Sequence, residues 1–344
     1  MKEQLVTTYK NIPTNIISGF LGAGKTTAIQ YILKHKPVNE VWAVIVNEFG
    51  QIGIDGALLK NDSVEIKEIA GGCLCCVGSQ SLNVGLNQII RTIKPQRIII
   101  EPTGLGHPAK LVESLTGEFY HSVLDLKAVI NLLDARQLND DRYITNKTFI
   151  DQSNLADILV ASKLDTYDQV DKDAFISYAS QFEPTKMKVA MVEQGQLQLD
   201  WLDIPRLQQR TAQFPEYHSH PHYHDNAEEV CDVLNEGVCD WVVVEGYASN
   251  YYSVGWKINK SFLFNKENLL EYIYKLFENP GAERVKGVVC TSVGWCSINF
   301  TRNEHQVLQV DNNEVSVLEI ISNKSMSTDE LDLSLKCCLS LNEH

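Results

Sequence analysis

Residues 19–27 read GFLGAGKTT, and no other stretch constrains the fold of this 344-residue chain as strongly. Gly19, four further residues, Gly24, Lys25 and Thr26 form a complete P-loop. The glycines let backbone N–H groups turn towards phosphate oxygens, while the lysine reaches the β- and γ-phosphates and the threonine hydroxyl ligates Mg²⁺. We therefore expect a nucleoside triphosphate and Mg²⁺ to bind at Gly22, Ala23, Gly24, Lys25, Thr26 and Thr27.

The segments on either side of the P-loop agree with this interpretation. Ile12–Phe20 is an apolar run suited to a buried strand, and Thr26–Lys34 has the pattern of a helix. The phosphates would then lie at a helix N-terminus, where the helix dipole favours anions. A glycine-rich turn without a function is the alternative, and the flanking strand and helix argue against it.

Length, charge and cysteine content narrow the class of protein. The chain is long enough for two domains, and its net charge of −14 argues against nucleic acid or an anionic membrane as the main partner. No apolar run approaches the length of a membrane span, and the first residues lack the apolar core of a signal peptide. Three of the nine cysteines lie within four positions, which suggests metal or redox chemistry in a cytoplasmic protein rather than disulfides.

Short apolar runs alternate with helical patterns over about the first 200 residues. This alternation predicts an α/β fold of the P-loop NTPase type, with a doubly wound, mostly parallel sheet that binds ligands at the carboxyl ends of its strands. The candidate strands are Ile12–Phe20, Val41–Val46, Val64–Ile69, Arg97–Ile100, Ala128–Leu133, Ile158–Ala161 and Val189–Val192. The candidate helices are Thr26–Lys34, Ser81–Ile93, Ala109–Leu115 and Lys172–Gln181.

The pattern changes in the last third of the chain. Residues 211–230 are polar and include HSHPHYHDNAEE, which indicates an exposed linker whose alternating histidines either collect metal or are simply solvated. Strand-like runs then surround a helical stretch at Lys266–Phe277, and Ser327 with Glu330 has the spacing of a capping box that opens a last helix through Cys338. We expect a nucleotide-binding domain over residues 1–210, a linker over 211–238 and a smaller α+β domain over 239–344.

The segment EPTG supplies a second candidate for the nucleotide site. Glu101 ends an apolar run, and Gly104 follows three residues later. A carboxylate at a strand end near a P-loop holds Mg²⁺ directly or through water, and a following glycine can offer its N–H to the γ-phosphate. Many strands end in a carboxylate that has no function, but the P-loop favours the functional interpretation. We assign the catalytic roles to Lys25 and Glu101.

The run ILVASKLD resembles the guanine-specificity strand of GTPases. Asp165 would accept hydrogen bonds from N1–H and the 2-amino group of guanine, a pair of donors that adenine lacks. The stem of Lys163 would cover the base. The usual first residue, asparagine, is Ser162 here. A surface lysine and aspartate after an ordinary strand are the alternative.

Cys73, Cys75 and Cys76 lie in the run GGCLCC. Thiolates are favoured ligands of Zn²⁺ and Cu(I). The three thiols cannot all bind one tetrahedral ion without strain, so two or three of them with an outside ligand such as Glu48 would form an open site. A buried cysteine cluster is the alternative, but the flanking glycines indicate a loop.

Together these motifs resemble the CobW-type GTPases, relatives of the nickel-insertion GTPases UreG and HypB among the P-loop metallochaperones. GFLGAGKTT resembles the family's P-loop, VNEFGQIGID its first switch, GGCLCC its metal motif, EPTG its Walker B element and SKLD its guanine strand. The resemblance extends over almost the whole chain. It has departures: Gln51 stands where the first switch often carries a second glutamate, and Gly106 and His107 stand where a small residue and aspartate are common.

The resemblance implies slow hydrolysis of GTP to GDP and phosphate, coupled to delivery of a transition metal into a client protein. Zn²⁺ is the expected metal and Co²⁺ an alternative, although ligand softness does not separate Zn²⁺ from Cu(I). Two other classes stay open: a metal sensor or buffer that binds GTP without a client, and a P-loop kinase acting on a small molecule. Homodimerisation is also left open.

Overall fold

A computed structural model of the chain describes residues 10–46, 64–68, 80–106, 108–214, 240–248, 251–310 and 315–340. These residues form two compact units, one within 10–214 and the other within 240–340. The linker predicted over 211–238 falls mostly outside the described residues, so its bounds stay a prediction. No helix in the described ranges has the length and hydrophobicity that crossing a bilayer requires.

The first unit contains strands and helices in alternation. Its strands are β1 Ile12–Gly19, β2 Trp42–Val46, β3 Val64–Glu68, β4 Arg97–Glu101, β5 Leu124–Leu126, β6 Ile130–Asp134, β7 Ile158–Ser162 and β8 Lys188–Met191. Its helices are α1 Lys25–His35, α2 Gln80–Thr92, α3 Pro108–Thr116, α4 Asp141–Ile144, α5 Lys147–Leu155 and α6 Gln169–Ser180. Short 3₁₀ turns cover Ala135–Asn139, Leu164–Thr166 and Leu199–Asp203. Each candidate strand and helix from the sequence is confirmed, with ends shifted by a few residues at most.

The strands form one parallel sheet in the order β3-β2-β4-β1-β6-β7-β8, and β5 also pairs with the start of β1. Thr14 on β1 is in register with Ile98 on β4, and Ile17 with Ile130 on β6. The strand order therefore reverses at β1, and the P-loop follows this strand. The predicted doubly wound α/β fold is confirmed, and it places the P-loop at the switch point where such sheets bind ligands.

The central strands are buried on both faces. Successive residues Ile16 and Ile17 are fully buried in separate cores, because side chains alternate between the faces of a strand. Ile17 packs with Ile29 and Ile32 of α1, and Ile16 packs with the core that includes Leu86 of α2. A strand covered by helices on both faces appears in sequence as a continuous apolar run, and such a run indicated β1 in the sequence.

Helix α5 was not predicted, because its buried side chains are mostly polar. The buried residues include Thr148, Asp151, Gln152 and Ser153. Its N-cap is Asn146, whose side chain accepts a hydrogen bond from the N–H of Phe149. Polar side chains are stable inside a protein only when they are hydrogen-bonded, so the partners of this helix lie elsewhere in the fold.

A buried ion pair joins Arg210 to Asp157, which lies just before β7 in the sheet of the first unit. The carboxylate of Asp157 is 3.1 Å from Nε of Arg210, and both side chains are almost completely buried. Asp157 also accepts hydrogen bonds from the N–H groups of Val129 and Leu207. Nearby, the ammonium of Lys186 donates to the carbonyl of Ala156, and burial lowers the pKa of this lysine to about 7.

The second unit is an antiparallel sheet with helices. In the described ranges its strands are β9 Trp241–Ala248, β10 Tyr251–Asn259, β11 Ala282–Thr291, β12 Gly294–Thr301, β13 His305–Gln309 and β14 Val315–Ser322, in the order β13-β12-β11-β14-β10-β9. Its helices are α7 Lys266–Glu278 and α8 Thr328–Lys336. The hydroxyl of Ser327 accepts from the N–H of Glu330, so Ser327 is the N-cap of α8, and the helix ends at Lys336 rather than Cys338. The predicted α+β class is confirmed.

We expect Asp157→Asn to lower the free energy of unfolding of the first unit by about 3–5 kcal/mol, because it leaves the buried Arg210 without its counter-ion. Urea unfolding followed by fluorescence measures this change. Asp125→Asn is the matched control: this carboxylate pairs with Lys127 at the surface, so its loss should cost about 1 kcal/mol or less. Equal effects of the two substitutions would contradict the structural role of Asp157.

Candidate functional site

The P-loop joins the end of β1 to the start of α1. Gly24 is the N-cap of α1 in a left-handed conformation, with φ of 81°. It brings no side chain to cap the helix, so the backbone N–H groups of the first turn are available to an anion. The Nζ atom of Lys25 is buried and donates to the carbonyl of Gly19 at 2.9 Å. The lysine ammonium is thus held across the loop that would receive the phosphates.

Thr26 and Glu101 meet beside the P-loop. The Thr26 hydroxyl donates to Oε1 of Glu101 at 3.2 Å, and Glu101 is 4% exposed at the carboxyl end of β4. The two residues are 75 positions apart in sequence, and the pairing of β1 with β4 brings them together. A hydroxyl and a carboxylate are oxygen ligands of the type that Mg²⁺ prefers, so the residues present fit this ion.

The turn after Glu101 lies directly against the P-loop. A Cβ added to Gly104 would be 2.8 Å from Cδ2 of Leu21 and 3.0 Å from its backbone nitrogen. A larger residue would crowd the backbone of Leu21, so glycine suits this close approach. The side-chain amide of Gln152, on α5, donates to the carbonyls of Gly104 at 3.0 Å and Gly106 at 2.9 Å. No motif in the sequence marks Gln152, because its contact is with a turn 48 positions away in the chain.

The residues SKLD, which begin at the last residue of β7, form the other end of the site. The hydroxyl of Ser162 donates to the carbonyl of Leu133 at 3.2 Å, and its Cβ lies 3.8 Å from the position of a Cβ on Gly24. Ser162, where asparagine is usual, therefore lies next to Gly24 of the P-loop. Lys163 adopts a left-handed conformation, and Asp165 is exposed in the 3₁₀ turn that follows.

Asp134 orients Lys163 and was missed by the sequence analysis. Its carboxylate lies 3.5 Å from Nζ of Lys163 and accepts two hydrogen bonds from the guanidinium of Arg136. Burial alone would raise the pKa of Asp134, but the hydrogen bonds of Arg136 and the charge of Lys163 outweigh burial and lower it. The carboxylate is therefore ionised at neutral pH. Its position after an apolar run is the same signal that identified Glu101.

Gly195, after β8, is a further neighbour of the nucleotide loops. A Cβ at this position would lie 2.7 Å from the backbone nitrogen of Ala28 and 2.7 Å from the carbonyl oxygen of Thr27. The loop therefore touches the first turn of α1. The loops after β1, β4, β7 and β8 thus meet at one edge of the sheet, as predicted for ligand binding in a doubly wound fold.

The predicted metal ligands fall outside the described residues. This holds for Glu48, Cys73, Cys75 and Cys76, and also for Gln51, His107 and the histidine-rich segment. Within the described ranges, no group of three or more His, Cys, Asp or Glu side chains is arranged to hold a metal ion. The metal site at GGCLCC therefore stays a prediction.

Comparison with known proteins identifies similar sequences. The family model of the CobW/HypB/UreG nucleotide-binding domain matches residues 13–190. The zinc chaperone YeiR of Escherichia coli K12 is 36% identical over 326 residues, which cover 94% of this chain and 96% of that protein. The zinc chaperone CobW of Pseudomonas aeruginosa is 29% identical over 56% of this chain and 59% of its own. The crystal structure of Zn(II)-bound YjiA GTPase from E. coli has 17% identity and a TM-score of 0.43, over 95% of this chain and 99% of that one.

We expect Gly104→Ala to lower the affinity for GTP about tenfold or more, because the added methyl group would force the turn away from Leu21 at a cost of about 1–3 kcal/mol. Equilibrium binding of a fluorescent GTP derivative measures the effect. Gly117→Ala is the control: the methyl group there would lie 3.3 Å from the carbonyl oxygen of Glu113 in α3 and would contact none of the nucleotide loops, so the affinity for GTP should not change. Unchanged affinity in Gly104→Ala would show that the close approach is not needed for binding.

Asp165 should set a preference for GTP over ATP of about a hundredfold or more, because adenine would leave the carboxylate without its donors. Asp165→Asn should shift the preference towards xanthosine triphosphate, which competition binding can measure. Asp173→Asn, an exposed aspartate on α6, should change nothing. If ATP competes as well as GTP, Asp165 does not read the base.

Proposed function

The chain belongs to the CobW/HypB/UreG family and is a P-loop GTPase, and from that premise we propose that it binds Zn²⁺ and delivers it to a client protein under the control of GTP. The observation that carries the proposal is the junction of the P-loop with the turn after β4, where Thr26 bonds to Glu101 and Gly104 touches Leu21. The zinc assignment is supported by the similarity to the zinc chaperone YeiR over 94% of the chain.

The chemistry at this junction is phosphoryl transfer from GTP to water. Thr26 and Glu101 would hold Mg²⁺, which when bound neutralises charge that develops on the phosphates. Lys25 supplies a cation at the β- and γ-phosphates, and the first turn of α1 presents its backbone N–H groups. Gly104 would offer its N–H to the γ-phosphate. These residues act by positioning and by charge, which is how this reaction is mainly accelerated.

Guanine would bind at the opposite end of the site. Asp165 would accept the two guanine donors, and the stem of Lys163 would lie along the base. The ionised carboxylate of Asp134 supports this arrangement, because it holds the ammonium of Lys163 near the end of β6. The base pocket is therefore prepared by a residue that does not itself touch the base.

The metal would bind at the cysteines of GGCLCC. Zn²⁺ would take two or three of the thiolates of Cys73, Cys75 and Cys76 together with Glu48, and Co²⁺ is the alternative ion. The register of the sheet supports a link with the nucleotide, since Val46 pairs with Glu101 on one side and with Glu68 on the other. The segments that lead to Glu48 and to the cysteines therefore start level with the proposed Mg²⁺ ligand.

A metal-binding experiment tests this proposal. Zn²⁺ affinity should differ several-fold between protein loaded with a non-hydrolysable GTP analogue and Mg²⁺ and protein loaded with GDP. The coupling free energy would be about 1–3 kcal/mol, and linkage requires zinc to change the analogue's affinity by the same factor. Competition with a chromogenic chelator measures the zinc affinity, and nucleotide titrations with and without zinc measure the reverse effect.

The variants Cys75→Ser and Cys76→Ser should remove both tight zinc binding and this difference, while GTP binding persists. Cys337→Ser is the matched control, because that thiol is exposed in the second unit. Zinc affinity that is the same with GTP analogue, with GDP and without nucleotide would contradict the delivery function. An uncoupled buffer or sensor would then be the better account.

A further inference from the structure

Helix α5 braces the turn that carries Gly104. The side chain of Gln152 is 1% exposed, and its Nε2 atom donates to the carbonyls of both Gly104 and Gly106. One amide group thus spans the turn from inside the protein. Its Oε1 atom is buried and has no hydrogen-bond partner in the part of the chain that the structure describes. Two donated bonds to the turn are therefore the polar contacts that fix this side chain.

The same helix is anchored to the nucleotide domain on other sides. The ring of Phe149 packs edge to face on Phe20 of the P-loop, with 5.8 Å between ring centroids. Both rings are buried. The hydroxyl of Ser153 accepts from the side chain of Asn131 on β6. Because packed cores resist deformation, α5 would move as a unit rather than bend.

The residue next to Gln152 holds a different segment. The Oδ1 atom of Asp151 is fully buried and accepts hydrogen bonds from the N–H groups of Gln213 at 2.7 Å and Phe214 at 3.2 Å. The side chain of Asn154 donates to that of Gln213, and the ammonium of Lys147 lies 5.4 Å from the ring centroid of Phe214. Residues 213 and 214 lie after the last strand of the first unit, so α5 contacts both the turn that carries Gly104 and this later segment of the same unit.

We propose that Gln152 is a positioning residue for the turn that carries Gly104, and that α5 couples the conformation of this turn to residues 213 and 214. The proposal rests on the function proposed above, because it takes Gly104 to face the γ-phosphate of GTP. A movement of the turn towards or away from that phosphate must carry the amide of Gln152 with it or break its two hydrogen bonds. Asp151 is adjacent on the same helix, so a displacement of α5 also shifts its two acceptor contacts.

The first test compares nucleotide affinities in Gln152→Met, which keeps the length of the side chain and removes the donors. The affinity for a non-hydrolysable GTP analogue should fall about tenfold, the effect expected for the loss of one or two hydrogen bonds. The affinity for GDP should change less than about twofold, because GDP has no γ-phosphate for Gly104 to contact. Titration calorimetry with Mg²⁺ measures both.

Gln137→Met is the matched control. Gln137 is also buried, its Oε1 also lacks a partner in the described ranges, and its amide donates to the carbonyl of Leu21 at 3.4 Å. Its contact is with the P-loop, which both nucleotides use, so this substitution should weaken GDP and the analogue equally. If Gln152→Met weakens both equally, or neither, the positioning role is overturned. If the wild-type protein binds neither nucleotide, the proposed function fails instead.

A second variant keeps the test valid if Gln152→Met does not fold. Gln152→Asn retains the amide but is shorter by one methylene, so it cannot reach both carbonyls. It should show the same selective loss of analogue affinity, in a smaller amount. Analogue and GDP affinities that both match the wild type would overturn the role of the two-carbonyl contact.

The coupling between the Gly104 turn and residues 213 and 214 is tested by amide hydrogen exchange. The N–H groups of Gln213 and Phe214 should exchange at different rates with GDP and with the analogue, and this difference should disappear in Gln152→Met. Asp151→Asn removes the charge of the acceptor that holds these two N–H groups, so it should speed their exchange in both states and shrink the difference between the states. Equal exchange of the wild-type protein in the two nucleotide states would overturn the coupling.

Discussion

The reversal of strand order at β1 is the constraint on which the rest of this structure depends. Because β4 and β6 flank β1 in parallel register, the chain segments that follow these strands emerge around the P-loop. This register brings Thr26 and Glu101 within hydrogen-bond distance of each other. The same register aligns Val46 with Glu101, so the segments that lead to the proposed metal ligands begin at the edge where Mg²⁺ would bind. A metal site and a γ-phosphate site on one edge can influence each other over a short distance.

Buried polar side chains then fix the loops at this edge. The hydroxyl of Tyr167 donates to the carbonyl of Ser162 and accepts from the N–H of Ala135, which ties the ends of β6 and β7 together. Burial raises the pKa of Tyr167, so the hydroxyl keeps its proton. In the same way, the buried amide of Gln152 fixes the turn after β4 by donating to the carbonyls of Gly104 and Gly106. Each such group would be costly inside the protein without its partners, so each favours a single arrangement of its loop.

The contacts of helix α5 are the basis of the coupling proposed above. Helix α5 contacts the P-loop through Phe149 and the turn after β4 through Gln152. Through Asp151 it also contacts Gln213. If one of these segments displaces the rigid helix, the contacts of the helix with the other two segments change as well. The buried Asp157–Arg210 pair holds the chain just before Gln213 and Phe214.

The sequence by itself determined the fold class, every strand of the first sheet except the short β5, and the identity of Lys25, Thr26, Glu101 and Asp165 as candidates, because apolar runs and short motifs are local properties of the chain. The metal ligands at the cysteines stay a prediction that rests on the motif GGCLCC. Only the tertiary structure shows that Gln152 and Asp134 contact residues of the candidate site, Gly104 and Lys163. Gln152 bonds to Gly104 across 48 positions of sequence, and α5 looks like an exposed polar segment until its partners are known. Contacts between residues remote in sequence follow from strand order, which no local pattern encodes.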